Sequence, residues 1–354
     1  MRKNYLDNIK WMIQILVVMY HVVLMYNGFG LMGGIGKITN LTVQPYDVFL
    51  YIPFPWAMAL LFLTSGMSTR FYLNRHSDID LLKSRTIKLL LPSTVGICIF
   101  WFIQGYFNMQ IIGNWADISG ASKLFKYIVM ILNGVGVLWF IQVLWIDSVI
   151  LVLIRKIEKG RLLALGKKAN TIWFAGFTLL IYGASQILNG KTFVTYRLGL
   201  YTVCFLLGYY VFSHDEVIER LKKLTPLYVL ISVVLCIVFC SKYWGQNCTD
   251  PSINCSLLFG CYCWFGCLAV LSLMASIGNF SNKVTSWLSR SSYGVYLCHY
   301  MCISVIALYV VKPGLVSGEF AYLITIIGGF VGGYLLYQII LKIPVVRTLL
   351  VGAK

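Results

Sequence analysis

Charge is scarce in this chain, and acid is scarcest. Lys, Arg, Asp and Glu together make up 12% of the 354 residues, and only 12 residues are acidic. A soluble domain carries about a quarter charged residues, so this first shortfall excludes a water-filled surface around a single globule. No Ser/Pro linker, low-complexity tract or internal repeat interrupts the chain, and one domain over 1–354 is the simplest organisation. No CxxC pair or Cys/His cluster has metal-ligand spacing, so no metal is expected. Most of the eleven cysteines fall in apolar stretches and read as small packing residues. Cys248 and Cys255 instead fall in a predicted outer loop, where a disulfide is chemically possible. The first apolar run holds Gln14 and His21 and is followed by no small-x-small cleavage site, so it is expected to persist as a helix.

What is present in quantity is apolar side chain, 59% of the total. Many stretches approach the roughly 20 residues needed to cross a bilayer. None alternates like a barrel strand, and in hydrocarbon the backbone must satisfy itself within the segment, so the stretches must be helices. Spans are expected near 11–29, 47–68, 86–107, 137–154, 171–188, 196–212, 226–242, 257–278, 293–311 and 320–341. The fold class is therefore all-α, a polytopic membrane protein of about ten helices. The stretch 108–136 is the longest connection, and it is too apolar near 124–132 for a free loop. It reads as a partly inserted or surface-lying helix.

The charge balance of +17 is unevenly placed. With those spans, 22 of the 29 Lys and Arg residues fall on the side that holds the N-terminus, including Lys10, Arg85 and Lys88. Such a bias puts both termini in the cytoplasm. Orientation explains the basicity, so nucleic acid is not an expected partner; the lipid bilayer is.

Ionisable groups inside a span are costly and mark function by default. At 100° per residue, Asp7, Lys10, Gln14 and His21 share a sector of roughly 60° on the first helix. His21 lies about 16 Å deeper than Lys10, near the bilayer midplane. The plainer reading is a packing histidine with Lys10 snorkelling. Three aligned polar partners favour function, and imidazole can exchange a proton near neutral pH or act as a nucleophile.

Other polar groups recur at helix ends. Arg85 and Lys88 in LLKSRTIKLLLP are three apart, share a helical face, and precede Pro92. They read as ordinary anchors or, with Lys10, as phosphate ligands. Ser65 and Gly66 in LFLTSGMSTR permit close packing or a narrow tunnel. The fourth span opens LWFIQVLWID and contains Asp147, a partner for a cation or a water-facing acid. On the ninth, SSYGVYLCHY, the residues Tyr296, His299 and Tyr300 cluster on one side. His76 and His214 fall in cytoplasmic loops and read as solvated.

In order along the chain, YLDNIKWMIQILVVMYH, TSG, the basic pair with its following Pro, LWF and SYGVYLCH resemble the acyltransferase 3 family of integral membrane acyltransferases. A looser likeness over 69–92 is to the branch containing glucan succinyltransferases. The resemblance spans nearly the whole chain. It implies transfer of an acyl group, acetyl or succinyl, from cytoplasmic acyl-CoA to a carbohydrate or other small-molecule acceptor of the envelope, in the inner or plasma membrane. Acyl-CoA enters as co-substrate, and no cofactor is implied. The family's histidine falls on His21 and its cations on Lys10, Arg85 and Lys88, with lysine where two arginines are usual. An extended donor would place its phosphates at those cations, its arm beside Gln14 and Ser65, and its thioester at His21, with Asp7 among the substrate-binding residues. Tyr296 or His299 would donate to the oxyanion, and Trp139 of LWF would contact substrate. A homodimer is a possible assembly. Two other classes compete: an exporter of a polar or lipid-linked substrate, for which Asp147 is the only suitable mid-membrane acid, and a non-catalytic acyl-CoA sensor.

Overall fold

Apolar runs that cannot bond to lipid close their backbone hydrogen bonds within the segment. The computed structural model is accordingly built of helices. It describes residues 3–29, 34–190 and 196–353, so Arg2, Lys191 and Lys354 of the charge balance lie outside the described residues. Among those described there is no strand, only one backbone bridge between Asn189 and Arg197.

The principal helices are α1 (Asn4–Met25), α2 (Ala57–Leu73), α3 (Asp78–Ile112), α4 (Lys123–Asn133), α5 (Gly136–Glu158) and α6 (Thr171–Ala184). They continue as α7 (Leu198–Phe212), α8 (Thr225–Tyr243), α9 (Leu257–Ile277), α10 (Lys283–Val311), α11 (Gly318–Leu341) and α12 (Pro344–Val351). Each expected span meets one of these helices in order. Seven of them (α1, α3, α5, α8, α9, α10 and α11) are long and apolar enough to cross a bilayer. α6 and α7 are shorter apolar helices, and α2 has 17 residues. The protein is an all-α polytopic membrane protein.

Two expectations shift, and the short helix expected within 108–136 is found. α1 begins at Asn4, not near 11, because its polar first turns are buried with partners: Asn8 donates to the carbonyls of Gly278 (2.7 Å) and Phe280 (2.9 Å). The apolar stretch near 124–132 is α4, an 11-residue helix that is too short to span. Ser122 caps it by accepting the Phe125 N–H, and it exposes Leu124, Ile128 and Leu132 along one face. Cys248 and Cys255 are free thiols, and the Cys255 thiol donates to the Ser185 carbonyl.

α3 carries the main irregularity. Pro92 has no N–H to give the Lys88 carbonyl, and its ring crowds that carbonyl. The backbone widens into π turns on both sides, at Thr86–Leu90 and Ile97–Trp101. Side chains then satisfy the freed oxygens. Tyr293 Oη donates to Lys88 O (2.5 Å), Ser93 Oγ to Leu89 O (2.7 Å), Thr94 Oγ1 to Leu90 O (2.6 Å) and Gln142 Nε2 to Ser93 O (2.7 Å). Broken backbone at membrane depth is tolerated when it is repaired in this way.

The chain divides into two compact units, each assembled from three segments. The first comprises Met1–Ile13, Tyr51–Lys83 and Val143–Ser289. Within it α2 and α7 pack backbone to backbone. A Cβ on Gly66 would meet Phe205 O at 1.9 Å, and one on Gly208 would meet Leu63 O at 1.9 Å. The Gly66 of TSG therefore serves close packing. The second unit comprises Gln14–Leu50, Ser84–Gln142 and Arg290–Lys354. In it α11 closes over α10 at Gly333, where a Cβ would lie 3.1 Å from the Cα of His299.

Candidate active site

The polar stripe of α1 is half-buried at Asp7, Lys10 and His21 and buried at Gln14, which is 8% exposed. An amide inside an apolar helix usually finds a partner. Gln14 Nε2 has none among the described residues. A donor is thus left open on the face that leads from Lys10 to His21.

At the deep end of the stripe, His21 Nδ1 lies 3.0 Å from Nε2 of His299 on α10, both within the second unit. The protons of this pair can be assigned. His299 Nδ1 lies 2.7 Å from Tyr296 O and 3.2 Å from Val295 O. Carbonyls only accept, so Nδ1 carries the hydrogen of a neutral ring and Nε2 carries the lone pair. His21 must then donate from Nδ1 to that lone pair. By elimination, His21 Nε2 is unprotonated and basic. His299 is fully enclosed, whereas His21 remains partly open. The residue with the wired ring is sealed, and the residue with the basic ring is half-buried. Tyr300 flanks His21 at 4.9 Å between ring centroids, and Tyr20 lies edge-on at 5.7 Å.

Tyr296 and His299 differ from the expected oxyanion donors. The Tyr296 hydroxyl gives its proton to Val137 O (2.5 Å), and His299 gives its proton to its own helix. Neither proton is left for an oxyanion while these bonds stand. Both residues still frame the site, Tyr296 packing edge-on to Phe140 and Phe140 edge-on to the buried Trp139.

The expected phosphate ligands occupy basic helix ends. Arg85 is half-buried and Lys88 exposed on α3, beside the turn whose carbonyl Tyr293 ties to α10. In the first unit Lys10 Nζ donates to Ser68 Oγ at 2.8 Å. Ser65, expected beside the donor arm, is buried one turn away, and its carbonyl receives the Thr69 hydroxyl. Ser68 was missed because TSGMST offers several hydroxyls and only packing selects among them. Lys10 and His21 stay joined by α1 itself, whose eleven intervening steps rise about 16 Å.

Among the described residues Asp147 has no cation partner, and it is not water-facing. It is fully buried and accepts a 2.6 Å hydrogen bond from Thr202. His76 is exposed, stacked on Tyr72. His214 is half-buried rather than solvated; burial lowers its pKa, opposed by its bond to Leu163 O. Among the described residues no His, Cys, Asp and Glu groups cluster as metal ligands.

Comparison with known proteins returns no matching curated protein and no matching solved structure. A family model described as an acyltransferase domain matches residues 3–341, which takes in α1 through α11 and both histidines of the pair. With that match over nearly all of its length, the chain belongs to the acyltransferase 3 family and is a multi-pass membrane acyltransferase.

Proposed function

We propose that His21 is the general base in transfer of an acetyl or succinyl group from cytoplasmic acyl-CoA to a hydroxyl of a carbohydrate or small-molecule acceptor of the envelope, at the inner or plasma membrane. One observation carries the reading: the 3.0 Å histidine contact leaves the half-buried His21 with its lone pair on Nε2. His21 Nε2 takes the acceptor's hydroxyl proton as the oxygen attacks the thioester carbon. The tetrahedral intermediate collapses by breaking the C–S bond, and the departing CoA thiolate recovers the proton from Nε2. Throughout, His21 Nδ1–H stays on His299 Nε2, so His299 acts as a positioning residue that fixes the tautomer.

The donor's length suits the stripe. Acyl-CoA carries phosphates at one end and a thioester at the other, with amide carbonyls between them. Lys10 sits toward the start of α1, Gln14 offers an N–H four residues on that has no partner among the described residues, and His21 follows at the deep end. Within the second unit, Arg85 and Lys88 of α3 are cations that suit phosphate.

The test is release of free CoA from acetyl-CoA or succinyl-CoA by the reconstituted full chain, with membrane glycans and small polyols as acceptors. His21→Ala should lower turnover by about 10²–10⁴-fold, the usual contribution of a positioned base, while the protein stays in the membrane. Near-normal turnover in that variant would sink the proposal.

A further inference from the structure

One end of the second unit carries positive charge and, among its described residues, no acid. Five cations lie there: Arg85 and Lys88 on α3, Arg290 on α10, Lys342 just past α11 and Arg347 on α12. The three acids of the unit belong to the opposite helix ends. Asp47 follows the end of α1, Asp117 follows the end of α3, and Glu319 lies at the start of α11. Cations at a membrane face are ordinary anchors when they point outward. Lys88, Arg290 and Lys342 are exposed and fit that reading. Arg347 does not.

α12 is seated along α3. Gly352 ends it in the left-handed conformation (φ +63°), and the Ala353 N–H turns back to Arg347 O. A Cβ on Gly352 would come within 2.5 Å of Lys88 Cα, and one on Gly96 within 2.8 Å of Leu349 O. At 100° per residue, Arg347 lies about 60° from Leu350 and about 40° from Val351. Those two residues are 1% and 3% exposed. Val345, about 160° around the helix from Arg347, is 69% exposed. Arg347 therefore stands in the packed stripe of α12, where a cation needs an anionic or hydrogen-bonding partner. Its Nε is enclosed and has no hydrogen-bond partner among the described residues. Its terminal nitrogens have none there either, and they are not enclosed. The guanidinium thus keeps donors for an anion that arrives from the surface.

The neighbours of α12 are basic as well. Gly352 rests on the turn of Lys88, and the carbonyl of that turn accepts the Tyr293 hydroxyl of α10. Arg290 precedes Tyr293 by three residues and shares its helical face. We propose that α12 is part of the donor site, with Arg347, Lys88 and Arg290 receiving the phosphate groups at the nucleotide end of acyl-CoA. That end carries several phosphates, which suits cations spread over three helices better than one cation would. An anionic lipid headgroup offers the same chemistry, but headgroup anchors stand on outward faces and Arg347 stands on the face turned to α3. The inference rests on the reading of acyl-CoA as donor and adds Arg347 and Arg290 to the residues that hold it.

The test places the full chain in nanodiscs of neutral phosphatidylcholine. Binding of adenosine 3′,5′-bisphosphate, the nucleotide end alone, is measured by isothermal titration. KM and kcat for CoA release from acetyl-CoA are measured in the same discs. Arg347→Ala should weaken bisphosphate binding and raise KM about tenfold each, the worth of one charge-assisted contact, while kcat holds. Arg347→Lys keeps the charge and loses the fork, so it should fall between the two. Val345→Ala, on the opposite face of α12, should bind as the native protein does. An unchanged melting temperature shows that each variant is folded. Native binding of the bisphosphate that neither Arg347 variant weakens, or no binding by the native protein, overturns the inference even where CoA release proceeds. The lipid source is tested by adding phosphatidylglycerol to the discs. A gain in melting temperature from that lipid that Arg347→Ala loses, with bisphosphate binding unmoved, gives Arg347 to a headgroup and also overturns the inference. Bisphosphate binding that depends on Arg347 in a protein releasing no CoA keeps the site and removes the transfer reading instead.

Discussion

The molecule buries two polar contacts between helices that look alike on paper. In the second unit His21 meets His299 at 3.0 Å; in the first, Asp147 meets Thr202 at 2.6 Å. Each pairs a titratable group of a long apolar helix with one partner from another helix. They differ in what remains after the bond is made. The histidine pair ends in a lone pair on a half-buried residue, while Asp147 is fully enclosed with its second oxygen facing no donor among the described residues. A buried ionisable residue is a default hint of function, but only the first contact offers a reagent to an incoming molecule. Access and the direction of the hydrogen-bond chain separate the two; burial and polarity do not.

If the histidine wiring sets the tautomer, cutting it should be the larger perturbation. His299→Phe keeps an aromatic ring on α10 but removes the acceptor for His21 Nδ1–H. Turnover should fall about 10–100-fold, the usual cost of losing a residue that orients a reactive ligand or base, with KM for acyl-CoA unchanged. His299→Gln restores an acceptor and should recover part of kcat. Equal loss in both variants, or a matching rise in KM, would mean that His299 only fills space.

The other end of the stripe should give a smaller effect in the opposite parameter. Lys10 Nζ is held by Ser68 at the basic end of α1. Lys10→Ala should raise KM for acyl-CoA about tenfold, the worth of one charge-assisted contact, and leave kcat near its starting value. Lys10→Arg keeps the charge and adds a fork suited to phosphate, so its KM should be no higher than that of the native protein. A kcat effect from Lys10→Ala would erase the division between a binding end and a reacting end of α1.

Most of the fold, and half of the site, could be read from residue order. Lys10, Gln14 and His21 share a face because 3.6 residues make a turn, which any chain in a helix must obey. What order could not supply was the partner. His21 and His299 are 278 positions apart, and which nitrogen of His21 is basic depends on two carbonyls of a helix it does not belong to. Helix ends were displaced for the same reason. Asn8 is polar enough to halt a hydrophobicity-based span, yet tertiary acceptors at Gly278 and Phe280 let α1 begin at Asn4. Gln104 is legible as an amide in an apolar run, but which way its amide is turned follows from two neighbours, Asn108 and Ser304, spending their own donors elsewhere.

The smallest expected effect is also the sharpest check on the comparison. Asp147→Asn keeps an oxygen to accept the Thr202 hydroxyl and removes a carboxyl whose other oxygen has no partner among the described residues. If that contact only ties helices together within its unit, acyl transfer should change by no more than about twofold, less than about 0.4 kcal/mol of transition-state stabilisation. The measurement is kcat/KM for CoA release beside His21→Ala in the same membranes. A mid-membrane acid is what an ion-coupled carrier would need. A loss from Asp147→Asn comparable to that from His21→Ala would therefore put the working proton in the first unit and turn the histidine pair into scaffold.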